Sequence, residues 1–254
     1  MKKYVIANFK MNKVDGDISK YLSTLIPLTS GVDSQIILAV PSVSIKTAVS
    51  KAGKSGIMIA AQNLNENNFG SFTGEINGEM ISGVGAGAVL IGHSERRTQF
   101  GESDELVNKK LLAAMKTGLV SILCIGETIF DKTNGLTEKT LTSQLTACLK
   151  SLYANELSHL VIAYEPVWAI GTGVTPTNDE ISKAVKFIRG ILKNMYDEKI
   201  AQDVSIVYGG SITDYNIKEI AKIPNVDGVL VGGASLSPEK FGIIVNTFDS
   251  ARKK

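Results

Sequence analysis

Four side chains that can do acid–base or electrostatic chemistry stand at the ends of short apolar segments: Asn8, Lys10, His93 and Glu165. An ionised carboxylate beside an apolar segment is costly to bury unless it is paired or used, which makes Glu165 a candidate general base. The imidazole of His93 can donate or accept a proton near neutral pH. Lys10 and Asn8 offer a positive charge and a hydrogen bond to a developing oxyanion. The ordinary alternatives are a structural ion pair for Glu165, a packed or surface histidine, and a solvated loop lysine.

Two glycine-rich turns indicate a binding site for a phosphate group. Gly209-Gly210-Ser211 and Gly232-Gly233 each follow one of the last two apolar segments. Backbone N–H groups of such turns can hold an anion, particularly near the start of a short helix. The apolar and glycine-containing segment 169–173 has the composition of a mobile lid, although an ordinary surface loop can have the same composition. A base, an imidazole, a cation and a phosphate turn, without a metal-ligand cluster or a dinucleotide fingerprint, indicate proton abstraction beside a carbonyl of a small phosphorylated substrate.

The elements that must position these groups alternate between strands and helices. Segments with helical periodicity, such as residues 106–115, 141–152 and 181–195, separate eight apolar segments of strand length. The apolar segments are continuous rather than alternating, which is typical of parallel strands covered on both faces. We therefore expect the chain, residues 1–254, to form a single α/β domain with a closed eight-stranded parallel (β/α)8 barrel, and an open doubly wound sheet is the alternative. The eight strands are predicted at residues 4–7, 35–40, 57–61, 88–91, 119–124, 160–163, 204–207 and 229–231.

Both architectures place ligands at the carboxyl ends of the strands. Asn8 and Lys10 are two residues apart, so an extended backbone would direct both side chains to one face and into the barrel mouth. His93 and Glu165 follow the fourth and sixth predicted strands. The other histidine, His159, precedes the sixth strand and is therefore expected at the opposite end of the barrel.

Composition and charge argue against several other classes of protein. Hydrophobic residues make up 44% of the chain and charged residues 20%, a balance that supports a folded core. The net charge is only +2 and the longest basic run is Arg252-Lys253-Lys254, so we expect no nucleic-acid partner. No apolar segment has the roughly 18 residues of a membrane helix, and no signal-peptide core follows the first lysines, so we expect a cytoplasmic protein without a membrane partner. Cys124 and Cys148 lack the spacing of a zinc site or a disulfide framework, and we expect neither a metal nor a cofactor.

Six ordered motifs resemble those of the triosephosphate isomerase family. They span nearly the whole chain at family-like spacing: Asn8-Phe9-Lys10-Met11-Asn12, Gly92-His93-Ser94-Glu95-Arg96-Arg97, Cys124-Ile125-Gly126-Glu127, residues 164–173, Tyr208-Gly209-Gly210-Ser211 and Val231-Gly232-Gly233-Ala234-Ser235. Each motif alone is weak, but coincidence does not explain all of them in this order. The resemblance implies the (β/α)8 architecture known as the TIM barrel and an isomerase of glycolysis and gluconeogenesis.

The resemblance also implies a role for each candidate residue. Glu165 would move a proton between two neighbouring carbons of dihydroxyacetone phosphate, giving D-glyceraldehyde 3-phosphate through an enediolate. His93 would polarise the carbonyl as a neutral imidazole, because the positive end of a following helix disfavours imidazolium. Lys10 would supply positive potential, Asn8 a hydrogen bond, and Glu95 would contact Lys10. The phosphate would rest on the backbone N–H groups of Gly171, Ser211, Gly232 and Gly233.

A homodimer is a further implication of the resemblance. The polar loop at residues 62–76 would enter a pocket beside the site of the partner subunit, where Thr73 would support that site. Glu75 and Arg96 would pair across the interface. Phe69 and Phe72 would be unfavourable in water, whereas a buried interface explains them.

Two departures from the family pattern affect particular details. Asn77-Gly78 replaces a serine-proline pair, which removes a favourable first-turn proline and predicts a less rigid loop after the third strand. Pro176 stands at the end of the lid, where the pattern commonly has a backbone N–H that bonds the tyrosine of the seventh strand, here Tyr208. A proline nitrogen cannot donate this bond.

Two rival functions use parts of the same sequence. Another phosphate-binding barrel enzyme, such as an aldolase that forms a Schiff base on Lys10, would place its chemistry in the same mouth. A barrel that only binds a partner is the second rival. The presence of Asn8, Lys10, His93 and Glu165 together argues against it.

Overall fold

The chain forms a closed parallel barrel, seen in a computed structural model that describes residues 2–171 and 174–252. Strands pair in chain order, every pair is parallel, and β1 pairs with β8 to close the sheet. The predicted (β/α)8 barrel is therefore confirmed, and the alternative of an open doubly wound sheet is wrong. The strands are β1 Tyr4–Asn8, β2 Gln35–Val40, β3 Met58–Ala61, β4 Ala88–Ile91, β5 Val120–Ile125, β6 Leu160–Tyr164, β7 Ser205–Gly209 and β8 Gly228–Val231.

The continuous apolar composition of the strands follows from burial on both faces of the barrel wall. Ile6 and Ile37 belong to the cluster that fills the barrel interior. Their neighbours Val5 and Leu38 belong to the larger cluster between the strands and the helices. Each such side chain contributes about 1.5–3 kcal/mol when it is fully buried, so neither face of a strand can be polar without cost.

Helices cross back over the outside of the barrel between successive strands. In the described part of the chain they are α1 Asp15–Leu28, α2 Ile45–Ala52, α3 Gly78–Gly83, α4 Ser94–Gln99, α5 Asp104–Lys116, α6 Ile129–Thr133, α7 Thr137–Cys148, α8 Asn178–Met195, α9 Glu198–Asp203, α10 Ile217–Ile220 and α11 Pro238–Arg252. Short 3-10 helices lie at Ser42–Ser44, Ala154–His159, Val167–Ala169 and Gly233–Leu236. His159 thus directly precedes β6 and lies at the amino end of the barrel, as predicted.

Side-chain caps set the starts of two helices that flank the site. Thr177 Oγ1 accepts the N–H of Glu180 at 3.2 Å, and the Glu180 carboxylate accepts the N–H of Thr177 at 2.8 Å, which forms a capping box for α8. Asn77 Oδ1 accepts the N–H of Met80 at 2.8 Å and so caps α3, which lacks the family's proline. The lower rigidity predicted for the loop before α3 stays a prediction.

Some element boundaries differ from those predicted from the apolar segments. β7 extends to Gly209, which pairs with Leu230 of β8 although it has no side chain to contribute to an apolar pattern. The helix predicted at residues 141–152 spans Thr137–Cys148 instead. Its first turn is polar, so apolar periodicity does not reveal it, and Ser151 has a left-handed φ of 63° that no helix can continue through.

Candidate functional site

The carboxyl ends of the strands surround a cavity of about 470 Å³. Eight of the nine predicted site residues line it: Asn8, Lys10, His93, Glu165, Gly171, Ser211, Gly232 and Gly233. The ninth, Glu95, lines an adjoining cavity of about 670 Å³, whose wall also includes Lys10 and His93. The barrel therefore brings all nine residues to one end, while their roles stay predictions.

Asn8 and Lys10 reach the cavity by a backbone path that differs from the prediction. β1 ends at Asn8, and Lys10 has a φ of 50°. The prediction that both lie on one face of an extended segment is therefore wrong, although both side chains line the cavity. The N–H of Lys10 donates to Asn8 Oδ1 at 3.0 Å, and Gln62 Nε2 donates to the Lys10 carbonyl at 2.9 Å. These bonds hold a left-handed conformation that costs about 1–3 kcal/mol for a non-glycine residue.

An ion pair holds the side chain of Lys10. Its Nζ lies 2.6 Å from Oε1 of Glu95, which is the contact predicted for Glu95. Both side chains are about one-third exposed, so the pair lies at the border of the two cavities rather than in the core. The ammonium consequently keeps access to a ligand.

His93 stands between Glu95 and Glu165. It is the N-cap residue of α4, and its Nδ1 accepts the N–H of Glu95 at 3.2 Å. On the opposite side of the ring, Nε2 lies 3.2 Å from Oε1 of Glu165. A neutral imidazole with its proton on Nε2 satisfies both contacts, because Nδ1 then acts as an acceptor.

Burial and charge act in opposite directions on the His93–Glu165 pair. Burial lowers the pKa of His93, but the charge and hydrogen bond of Glu165 and the charge of Glu95 outweigh it, so the pKa lies above its ordinary value. Burial raises the pKa of Glu165, but His93 and hydrogen bonds from Ser94 and Cys124 bring it below its ordinary value. Both pKa shifts depend on direct contact between the two side chains. Separation of Glu165 from Nε2 would remove the largest contribution that raises the pKa of His93.

Glu165 is buried against two glycines, and a side chain at either position would collide with it. The N–H of Ser94 lies 3.4 Å from Oε2 of Glu165. A Cβ atom on Gly209 would lie 2.9 Å from Cγ of Glu165, and a Cβ atom on Gly126 would overlap the Glu165 carbonyl group. A larger side chain at either glycine would therefore displace the carboxylate or its backbone.

The turns after β7 and β8 present backbone donors to the cavity. Within the described residues, the N–H groups of Ser211 and Gly232 make no backbone hydrogen bond. Asn216 Nδ2 donates to the Ser211 carbonyl at 2.8 Å, and Asn216 Oδ1 accepts the N–H of Thr213 at 2.8 Å. Both bonds of Asn216 stabilise the turn after β7. The N–H groups of Ser211 and Gly232 can therefore donate to an anion.

Hydrogen bonds hold the tryptophan that directly precedes the predicted lid. Trp168 Nε1 donates to Oε1 of Glu127 at 2.8 Å, and the Tyr164 hydroxyl lies 3.2 Å from the same oxygen. Burial raises the pKa of Glu127. Ser211 Oγ donates to the carbonyl of Ala169 at 2.8 Å, which joins the lid to the turn after β7. Two residues of the predicted lid, 172 and 173, lie outside the described residues.

Tyr208, in β7, is fully buried. Its hydroxyl has no hydrogen-bond partner among the residues that the structure describes. Pro176 is also buried, and its nitrogen carries no hydrogen. The structure therefore agrees with the expectation that position 176 gives no bond to Tyr208, and the effect on catalysis stays a prediction.

The loop at residues 62–76 carries exposed apolar groups beside the second cavity. Phe69 is 68% exposed and Phe72 is 44% exposed, more than apolar rings of their size normally show. Thr73, between Phe72 and Gly74 in the sequence, is exposed as well. Gly74 itself lines the second cavity.

Arg96 has a partner within its own chain. Its Nε lies 2.5 Å from Oε1 of Glu102, while Glu75 accepts a hydrogen bond from Asn65 at 3.2 Å. The predicted pairing of Arg96 with Glu75 across an interface stays a prediction.

Three residues that support the site escaped the sequence analysis. Gln62 donates to the Lys10 carbonyl, Asn216 donates to the Ser211 carbonyl in the turn after β7, and Cys124 contacts Glu165. The pairing of Thr213 with Asn216 three residues later is a local signal that predicts the brace. Gln62 and Cys124 have no such signal, because their partners lie far away in the sequence.

Residues 2–171 and 174–252 contain neither a metal-ligand cluster nor a membrane-spanning helix. No three histidine, cysteine, aspartate or glutamate side chains there form a group that could hold a metal ion. No helix in those ranges combines the length and the apolar character needed to cross a membrane.

Comparisons with known proteins agree with the geometry. The family model described as triosephosphate isomerase matches residues 3–248. The triosephosphate isomerase of Thermodesulfovibrio yellowstonii is 45% identical over 245 residues, which cover 96% of this chain and 98% of the relative. The protein of the same name from Acetivibrio thermocellus is 42% identical over 243 residues, 95% of this chain and 97% of the relative. A third, from Clostridium tetani, is 39% identical over 247 residues and covers 97% of both chains. This chain belongs to the triosephosphate isomerase family.

Proposed function

We propose that the chain interconverts dihydroxyacetone phosphate and D-glyceraldehyde 3-phosphate through an enediolate. The observation that carries the proposal is the meeting of Glu165, His93 and Lys10 in one cavity of about 470 Å³ beside two donor-rich turns. A carboxylate base, an imidazole donor and a fixed cation are the groups that proton transfer next to a carbonyl requires. Family membership supplies the identity of the substrate.

Each group has one task in the proposed reaction. Glu165, as a carboxylate, takes a proton from one carbon and then returns it to the neighbouring carbon. His93 donates its Nε2 proton as a hydrogen bond to the carbonyl oxygen, where negative charge develops. Lys10 adds positive potential, and Asn8 adds a hydrogen bond. Donors fixed before the reaction stabilise the enediolate without reorganising.

The phosphate group of the substrate has a separate binding surface. We assign it to the backbone N–H groups of Gly171, Ser211, Gly232 and Gly233, all of which line the same cavity. Closure of the lid over this group would exclude water and keep the enediolate from expelling phosphate. Binding energy from the unreactive phosphate then serves the chemistry at the other end of the molecule.

The ion pair of Lys10 argues against the rival Schiff-base aldolase. Attack on a carbonyl needs an amine that is free to approach it, whereas Nζ of Lys10 is held at 2.6 Å from the carboxylate of Glu95. An isomerase uses the Lys10 ammonium directly as an electrostatic group. Glu95 is accordingly assigned the task of orienting Lys10.

The proposal includes a cytoplasmic homodimer whose subunits, residues 1–254, are single domains without a nucleic-acid or membrane partner. Its support is the exposed apolar surface around the second cavity, where Met11 is 96% exposed and Phe100 is 64% exposed. We assign the loop at residues 62–76, with Thr73 at its tip, to the second cavity of the other subunit. Burial of these side chains on association would remove them from water.

A coupled assay with dihydroxyacetone phosphate tests the proposed function. We expect formation of D-glyceraldehyde 3-phosphate without added metal or cofactor, and a loss of both substrate affinity and turnover in Lys10→Ala. Treatment with borohydride in the presence of substrate should leave no covalent adduct on Lys10. A trapped adduct, or a wild-type protein without isomerase activity, would reject the proposal.

A further inference from the structure

Lys132, outside the site cavity, contacts the segments at both ends of the lid. Its Nζ lies 3.4 Å from the centre of the Trp168 ring and 2.9 Å from Oε1 of Glu180. Trp168 precedes the lid, and Glu180 lies in the first turn of α8, just after it. One ammonium therefore joins two segments that the lid separates along the chain.

Lys132 is itself held on the barrel. It lies in α6, where the N–H of Asp131 donates to Thr128 Oγ1 at 3.2 Å and the Asp131 carboxylate accepts the Thr128 hydroxyl at 2.7 Å. This capping box fixes the short helix next to the end of β5. The backbone of Lys132 is thus held in α6, and its flexible side chain extends to Trp168 and Glu180.

Both contacts of Lys132 continue into further hydrogen bonds. Trp168 donates to Glu127 at 2.8 Å through the edge of its indole, while Lys132 lies over the ring face. Glu180 uses Oε1 for Lys132 and Oε2 for the N–H of Thr177 at 2.8 Å. The side chains of Lys132 and Glu180 are only 33% and 45% exposed, so solvent screens the pair incompletely.

We propose that Lys132 is a positioning residue for the proposed isomerase reaction, which fixes the separation of the two lid ends by holding Trp168 and Glu180 together. This inference rests on the proposed function. Ile170, Gly171 and Thr175 lie between Trp168 and Glu180 and line the site cavity, so the separation of the two ends affects where these three residues stand. Lys132 does not line that cavity, so its effect on the reaction is indirect.

Three variants and a matched control test the inference. Lys132→Met removes the charge and keeps the stem, Lys132→Arg keeps a cation that can bind both partners, and Glu180→Gln keeps a capping residue without the ion pair. Lys139→Met is the control, because Lys139 is an exposed lysine of α7 that makes no ion pair with a described residue. Steady-state kinetics, loss of phosphate from the intermediate and the fluorescence of Trp168, the one tryptophan of the chain, are measured for each.

Lys132→Met should lower kcat/KM about two- to fivefold, as expected for loss of a partly exposed cation–π contact. It should also raise the fraction of turnovers that release phosphate and change the Trp168 emission. Glu180→Gln should do the same more weakly, and Lys132→Arg should keep most of the wild-type kinetics. Lys139→Met should match wild type in all three measurements.

The outcomes separate this inference from the proposed function. A wild-type protein without isomerase activity rejects the proposed function, and the positioning role with it. An active wild type with Lys132→Met indistinguishable from Lys139→Met in kcat/KM and phosphate loss overturns the positioning role alone. If Lys132→Met does not fold, Glu180→Gln decides: wild-type kinetics in that variant overturn the inference, and a parallel loss of kcat/KM and gain of phosphate release support it.

Discussion

Oε1 of Glu165 and Nε2 of His93 lie 3.2 Å apart, so the proposed base occupies the donor that would bind the substrate carbonyl. A carbonyl oxygen can accept the Nε2 proton only if the carboxylate moves away. The same movement removes the negative charge that raises the pKa of His93. Substrate binding is therefore expected to free the base and to favour the neutral imidazole in one step.

Replacement of Glu165 by aspartate tests the distance between base and substrate. Withdrawal of the carboxylate by one methylene should lower turnover about 100-fold or more, because proton transfer depends steeply on geometry. The affinity for substrate should change little, since the turns that we propose to bind phosphate are unchanged. Steady-state kinetics in both directions would check this, and normal turnover would remove Glu165 as the base.

The buried carboxylate of Glu102 predicts a pH dependence of stability. Burial raises its pKa, but hydrogen bonds and charge from Lys110 and Arg96 outweigh burial, so the pKa is below its ordinary value when the protein is folded. A depressed pKa gives stability that is present above the unfolded value of about 4.3 and is lost as the pH falls through the folded value. Glu102→Gln should therefore lower the free energy of unfolding by about 3 kcal/mol at pH 7, and less at pH 3.

Denaturant unfolding of Glu102→Gln at several pH values measures this difference. Glu138→Gln, at an exposed position of α7, is the matched control and should change the free energy of unfolding little. A Glu102→Gln effect of the same size at pH 3 and pH 7 would show that packing, rather than the charge of Glu102, stabilises this region.

A bulky charged side chain at position 73 should prevent formation of the proposed dimer. Thr73→Arg is expected to give a weakly active monomer, because an unpaired guanidinium cannot enter a closed interface without a large desolvation cost. Sedimentation at several protein concentrations, combined with activity, would show the dissociation. A wild type that is monomeric and fully active contradicts the shared site.

The effect of Tyr208→Phe on turnover should depend on the residue at position 176. Since the buried Tyr208 hydroxyl has no partner among the described residues, Tyr208→Phe should cost little turnover in the natural protein. In a Pro176→Ala background, where a backbone N–H is restored, the same change should cost more. Proline at this position can compensate by lowering the entropy lost on ordering, an effect of about 0.4–1 kcal/mol.

Steady-state kinetics on the four proteins of this cycle, with phosphate release from the intermediate, test the hinge argument. An equally large Tyr208→Phe defect in both backgrounds would mean that Tyr208 acts through another contact. The hinge explanation would then be abandoned.

The sequence by itself indicated a parallel α/β sheet and the identity of the candidate site residues, whereas the pairing of β1 with β8 that closes the barrel came from the structure. Continuous apolar segments require cover on both faces, and Glu165 and His93 directly after such segments must lie at the carboxyl edge of a parallel sheet. The glycine pairs after β7 and β8 were recognisable for a similar local reason. All of these inferences depend on neighbours within a few residues.

Only the tertiary structure decided how the site is held. The left-handed φ of Lys10 depends on Gln62, a residue 52 positions away, and the contact between Lys132 and Glu180 spans 48 positions. Local propensity favours neither, because lysine is ordinarily unfavourable at positive φ and a surface lysine has many possible partners. Long-range packing selects one conformation and one partner from these alternatives, and no pattern of adjacent residues records that selection.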